Sequence, residues 1–182
     1  MNMAIHPQTE FARESVLAVA RDMANAARTA PKAKGVDRLH IIVIEGDTLH
    51  ALAAHMREMH ASGRAAAHFA RDAGNLEASD ACLLVATEIG PMPSGCADCG
   101  MRACANNQAF MGAPCVYATH DLGLAIGSAV ALAADRRIDN RVMFSVGEAA
   151  YDLGFLPVAA RIAMGIPLSA TGKNPYYDRK PS

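Results

Sequence analysis

The sequence predicts an α+β fold, a mixed sheet flanked by layered helices, with one irregular cysteine-rich loop. Two short apolar runs, His40-Ile41-Ile42-Val43-Ile44-Glu45 and Ala81-Cys82-Leu83-Leu84-Val85-Ala86-Thr87, have the length and composition of buried strands. The stretches around them carry apolar residues at three- and four-residue steps, the period of an amphipathic helix. Between Ile89 and His120 neither period holds, yet three prolines, four glycines and four cysteines gather there. Helices that alternate with buried strands define a layered α/β or α+β class with at least three strands.

Glu10 to Ala30 reads as the first helix, with Val16, Leu17, Ala20, Met23 and Ala27 on its apolar face. Pro31 ends it, because the residue before a proline is pushed out of the helical region. A basic loop, Lys32-Ala33-Lys34-Gly35, leads to the first strand, His40 to Glu45. Gly46-Asp47 turns the chain, and Asp47 is expected to cap a helix from Thr48 to His60 that Gly63 stops. Arg64 to Ala73 is a further helical piece, and Ser79-Asp80 introduces the second strand, Ala81 to Thr87. After the irregular stretch, Asp121 to Asp135 is a helix with Gly123, Gly127 and Ser128, small residues that let another backbone come close; self-association is expected from it. Arg141 to Leu153 has helical spacing, with a strand over Arg141 to Val146 as the competing reading. Ala159 to Met164 is a third strand, and the tail from Thr171 to Lys180 is polar and basic.

The 182 residues are expected to form one domain, residues 1–182, with 89–120 as a cysteine-rich insertion within it. A net charge of −1 and scattered Lys and Arg give no electrostatic case for nucleic acid or an anionic membrane surface. Aromatics at 5% are too few for a base-stacking surface. Met1 to Glu10 has neither the basic start nor the apolar run of a secretory signal. The longest apolar run, Leu122 to Ala134, is shorter than a membrane span needs. The cytoplasm is the expected compartment, and thiols there stay reduced, so clustered cysteines point to metal or redox chemistry rather than disulfides.

Cys96, Cys99, Cys104 and Cys115 follow the spacing C-x2-C-x4-C-x10-C. Four soft thiolates within 20 residues can surround one metal centre. An iron–sulfur cluster takes four thiolates in short sequential runs, and Gly100 after Cys99 permits the backbone turn such a run needs. A structural zinc also accepts four cysteines, although its usual second C-x2-C pair is missing here. Four unligated cysteines are the third reading, against which stands a surrounding sequence rich in Gly, Pro and polar residues rather than core-like. Iron–sulfur is the leading reading, as a [4Fe-4S] cluster. Cys82 lies in an apolar strand and reads as core. His120 stands near enough in sequence to donate a hydrogen bond to a cluster sulfur. His50, His55 and His60 are five apart, which spreads them around a helix. A catalytic thiol is the weakest reading, because no His or Asp stands beside a given Cys in a recognisable motif.

Several longer stretches accompany the cysteines: Ala27-Arg28-Thr29-Ala30-Pro31-Lys32-Ala33-Lys34-Gly35, Asp121 to Ala129, Asp139-Asn140-Arg141-Val142-Met143, and Gly165 to Asn174. With the cysteine motif they resemble a family of bacterial and archaeal proteins that contain a ferredoxin domain. The opening helix, the Ala-Pro-x-x-x-Gly turn, the apolar strand and the closing Gly-Ile-Pro are similar to the nitroreductase fold. The first resemblance implies an iron–sulfur redox protein whose electron donor and acceptor are unknown. The second implies a homodimer with flavin mononucleotide (FMN) at its interface. By position, Arg28, Lys32, Lys34, Lys173 and Arg179 would then meet the flavin phosphate, and an oxidoreductase acting on a small organic acceptor would follow.

Overall fold

The structure is a computed structural model that describes residues 5–91, 98–100 and 113–178. Its sheet has the order β1-β2-β4-β3, with β1 at Leu39–Glu45, β2 at Ala81–Glu88, β3 at Asp139–Asn140 and β4 at Ala160–Ser169. Helices α1 (Gln8–Thr29) and α4 (Val116–Asp135) cover one face. Helices α2 (Gly46–Ala61), α3 (His68–Glu77) and α5 (Phe144–Asp152) cover the other. The predicted α+β class is therefore the observed one.

Strand β2 shows why its sequence is continuously apolar. Ala81, Leu83 and Val85 pack toward α1 and α4, while Cys82, Leu84 and Ala86 pack toward α2, α3 and α5. Successive strand residues face opposite sides, so a strand covered on both faces favours apolar residues along nearly its whole length; Thr87, its one buried polar residue, donates to the Glu88 carbonyl.

The sheet expected to mix strand directions is antiparallel in every described pairing. The cause lies in the connections. Glu45 and Ala81 are paired, so α2 carries the chain away from that end of the sheet and α3 brings it back. A single crossover helix would have delivered it to the other end and made β2 parallel to β1.

Other boundaries differ from expectation for local reasons. Helix α2 begins at Gly46 with Glu45 at its N-cap, and Asp47 lies within its first turn instead of capping it. Helix α3 is displaced to His68–Glu77, because its buried face is Phe69, Asp72, Ala73 and Leu76, while the Ala65 amide closes the turn after α2 on the Met59 carbonyl. Met143 is extended and bridges Gly165, and α5 starts one residue later, so the strand and helix readings of 141–153 each hold in part. Strand β4 continues through Gly165 and Pro167 to Ser169. The Gly165 amide donates to Met143 on the β3 side, so by strand periodicity Pro167 also faces that side. The chain there has left the ladder between Asn140 and Met143, so no amide is required of the proline.

Helix α4 is longer than the run read from the sequence. At 20 residues, with a mean hydropathy of 1.3 in its best window, it is long and apolar enough to cross a membrane by those two measures. In the fold its Ala125, Ala129 and Ala133 are buried against α1.

Candidate metal centre and its surroundings

Cys115 occupies the N-cap position of α4 and is buried. Its amide donates to the Ile89 carbonyl at 3.1 Å, and its carbonyl accepts from the amides of Ala118 and Thr119. Cys115 and Ala118 pack against Ala33, Val36 and Tyr117, which joins the basic loop to the start of α4. On the entering side, the Arg38 guanidinium donates to the carbonyls of Gly90 and Pro91. Both ends of the cysteine-rich stretch are thus fixed at one end of the sheet, where β1 begins and β2 finishes.

The described part of that stretch, Asp98-Cys99-Gly100, returns to the same place. The Tyr117 hydroxyl donates to the Asp98 carbonyl at 2.9 Å. The Lys34 ammonium lies 3.7 Å from the Asp98 carboxylate. Gly100 has φ of +84°, so the turn expected after Cys99 is present and uses a conformation that a Cβ disfavours. Cys99 is half-buried, and neither it nor Cys115 is in a disulfide. Cys96 and Cys104 lie outside the described residues. Among the described residues no group of three or more His, Cys, Asp or Glu could hold a metal. The two described members of the cysteine set fit a thiolate-ligated centre in donor chemistry, since both thiols are free and their segments are tied together through Asp98 and Tyr117.

Cys82 is different. It is fully buried in β2, and burial pushes its thiol up to about 12 against a smaller opposing hydrogen bond from Ile166. Its thiolate is suppressed at neutral pH, in keeping with a core residue.

The cations expected to meet a flavin phosphate do not gather within one chain. Arg28 donates to Asp37 at 2.7 Å and to the Leu39 carbonyl at 2.9 Å. Burial pushes the Asp37 carboxyl up, but hydrogen bonds from Arg28 and the Leu39 amide and the charges of Arg28 and Lys32 outweigh it, leaving it below the ordinary carboxylate value. The Lys32 ammonium donates to the carbonyls of Ala27 (3.3 Å), Ala30 (2.8 Å) and Arg28, closing the C-terminus of α1. A cation there meets the negative end of the helix dipole. Lys173 pairs with Asp178 at 2.7 Å, four residues beyond β4, at the end of the sheet opposite Leu39. The strands put roughly 20 Å between those ends. Arg179 lies outside the described residues.

Asp121 gave no local sequence signal for what it does. The sequence places it as the first residue of an apolar helix, yet α4 starts five residues earlier, and both of its carboxylate oxygens accept from the Ala33 amide, at 3.0 and 3.1 Å. It is only 5% exposed, with His120 Nδ1 3.6 Å away. The turn it holds, Ala33–Gly35, contains Lys34 at φ +54° followed by Gly35 at φ +67°. A left-handed residue with a Cβ costs about 1 kcal/mol, so the surrounding contacts must hold it there.

Comparison with known proteins accords with these features. The model of a family described as "Uncharacterized protein containing a ferredoxin domain" matches residues 111–179, a stretch that includes Cys115 and not the other three clustered cysteines. An uncharacterized protein of Archaeoglobus fulgidus is 39% identical over 183 residues, covering 96% of this chain and 97% of that one. Among solved structures, a nitroreductase with bound FMN from Desulfitobacterium hafniense superposes with a TM-score of 0.60 at 15% identity, over 86% of this chain and 78% of that one. A BluB-like flavoprotein from Clostridium difficile gives 0.55 at 17% identity, over 100% of this chain and 87% of that one. An FMN-dependent nitroreductase from Mycobacterium smegmatis, solved in complex with NADPH, gives 0.60 at 11% identity, over 86% and 78%. With near full-length identity to the archaeal protein and the family match over its C-terminal part, the chain belongs to the family of proteins containing a ferredoxin domain, built on a nitroreductase-like fold.

Proposed function

We propose that the protein is a cytoplasmic iron–sulfur redox protein in which Cys96, Cys99, Cys104 and Cys115 hold a [4Fe-4S] cluster. The observation that carries this reading is the convergence of Cys99 and Cys115, both free, on one platform made by Tyr117, Lys34 and the start of α4. Membership of the ferredoxin-domain family supports it. A bound cluster of this kind supplies one-electron transfer. The protein's part is to fix the ligand segments through Asp98, Ile89 and Pro91, and to bring a cation and a helix N-terminus close to negative thiolates.

Anaerobic purification followed by a visible spectrum and counts of iron, sulfide and zinc tests the reading. A broad brown absorption that bleaches on reduction, with about four irons and four sulfides per chain, is the expected result. Colourless protein with one zinc per chain would replace it with a zinc-stabilised interaction domain without catalysis. FMN binding is a second reading that the fold favours. Arg28, Lys32 and Lys173 do not fit its phosphate within one chain, since each is already engaged. A yellow chromophore released on denaturation would establish it.

The proposal includes a homodimer. Helix α4 leaves an uncovered stripe of Gly123, Leu124, Gly127 and Ala131, and a Cβ built at either glycine meets nothing within 4 Å. In an isolated chain, Gly127→Gln should stabilise the helix by roughly 0.5–1 kcal/mol, because glycine is a poor mid-helix residue. In a dimer that buries this stripe the same change should weaken association at least tenfold. Sedimentation and thermal unfolding measured together separate the two effects; an unchanged dimer constant would remove this face from the interface.

A further inference from the structure

We infer that Lys34 is an electrostatic positioning residue that raises the reduction potential of the centre held by the clustered cysteines, an inference that rests on the iron–sulfur reading. The backbone carries the first part of the argument. Lys34 sits at φ +54° in a turn closed by Gly35 N–H to the Lys32 carbonyl (3.0 Å) and Val36 N–H to the Ala33 carbonyl (3.1 Å). The same turn is locked from behind by the buried Asp121 carboxylate on the Ala33 amide. Glycine would take this conformation without strain, yet the residue carries a long cationic side chain.

The direction of that side chain carries the second part. Its ammonium lies 3.7 Å from the carboxylate of Asp98, the residue just before Cys99, and the Asp98 carbonyl is held by Tyr117, two residues after Cys115. The cation thereby lies beside the segment that bears Cys99, which Tyr117 ties to the start of α4 and Cys115. Adding an electron to a thiolate-ligated cluster makes it more negative, so a nearby cation stabilises the reduced state more than the oxidised one. Asp98 acts with the opposite sign.

This opposition separates an electrostatic role from a merely structural one. If the Lys34–Asp98 pair only anchors the loop, then Lys34→Met and Asp98→Asn both loosen it and shift the centre alike. If charge is what matters, Lys34→Met lowers the midpoint potential and Asp98→Asn raises it. Met keeps a Cβ and an unbranched side chain, so it places on the backbone the same left-handed demand that Lys does. Both groups are partly exposed, with side chains 43% and 63% accessible, so solvent screening limits the effect. About a threefold change in the one-electron equilibrium constant is expected for each variant, roughly 30 mV.

The experiment is a redox titration of the anaerobically reconstituted full chain, followed by visible absorption and electron paramagnetic resonance, with iron counted in each sample. Wild-type protein that takes up no iron would overturn the iron–sulfur reading and this inference together. Wild-type protein with full iron, but variants whose potentials are unchanged or move in the same direction, would overturn this inference alone. Should Lys34→Met fail to hold iron, Lys34→Gln and Asp98→Asn give the same test, and a fall in potential on Asp98→Asn would overturn it equally.

Discussion

Replacing Gly147 with alanine is expected to destabilise the protein by about 3 kcal/mol or more, although glycine-to-alanine changes inside helices ordinarily stabilise by up to about 1 kcal/mol. Gly147 is buried on the face of α5 that meets β4, and a Cβ there would overlap the Ala163 carbonyl group and come within 2.7 Å of the Met164 amide nitrogen. These are backbone atoms of a strand that is hydrogen-bonded to β2, so they cannot move aside without breaking the ladder. For a chain of this size the loss corresponds to a fall in Tm of roughly 6–12 °C. Gly165, on the strand side of the same contact, would strike the Val146 side chain instead. The Val146 Cβ would itself lie 2.5 Å from the added carbon, so Val146→Ala leaves an overlap and Val146→Gly is the change that should rescue Gly165→Ala in part, whereas Gly147→Ala, which meets strand backbone, should be rescued by neither. Urea unfolding of wild type, the single variants and the two double variants measures both points. A neutral or stabilising Gly147→Ala would mean that α5 does not lie this close to β4.

The same glycines show which parts of the fold can be read along the chain. β1 and β2 were legible because two-sided burial writes itself into the sequence as a continuous apolar run. The second half of β4 was not, because Gly165 and Pro167 ordinarily mark a chain leaving a strand. Here the glycine admits α5, and the proline faces the gap between Asn140 and Met143; both reasons depend on elements distant in sequence. Asp121 teaches the same lesson at the candidate site. The sequence sets this carboxylate at the start of an apolar helix, but the amide it accepts from belongs to Ala33, 88 residues earlier. The cysteine spacing was legible because the four proposed ligands fall within one short stretch of the chain. The early cations were legible as charges only, since the Asp37 carboxylate and the helix carbonyls that occupy Arg28 and Lys32 are brought to them by the fold.

Cys115→Ser is expected to lose most of the iron while the apo protein keeps its stability, and Cys82→Ser is expected to do the reverse. Cys115 is the N-cap of α4 and makes no side-chain cap bond. Serine is among the preferred residues at that position, because its hydroxyl accepts from the free amides of the first turn. The substitution therefore leaves the helix start intact, or strengthens it, while removing a soft ligand. A loss of iron in this variant cannot be attributed to unfolding of α4. Cys82 belongs to the same core cluster as Leu52 and Val146, with its thiol pushed up to about 12 by burial; its thiol donates to the Leu83 carbonyl at 3.8 Å and accepts a weak backbone hydrogen bond from Ile166, separations set for sulfur that a shorter C–O bond does not span. A serine hydroxyl there is poorly satisfied, which costs about 1–3 kcal/mol, with no effect on iron content. Cys96→Ser, Cys99→Ser and Cys104→Ser should each behave like Cys115→Ser in iron content. Iron and sulfide counts set beside thermal unfolding of the apo forms give a double dissociation. Wild-type iron stoichiometry in Cys115→Ser would remove that residue from the ligand set, and with it the reason for α4 to begin where the cysteine-rich stretch ends.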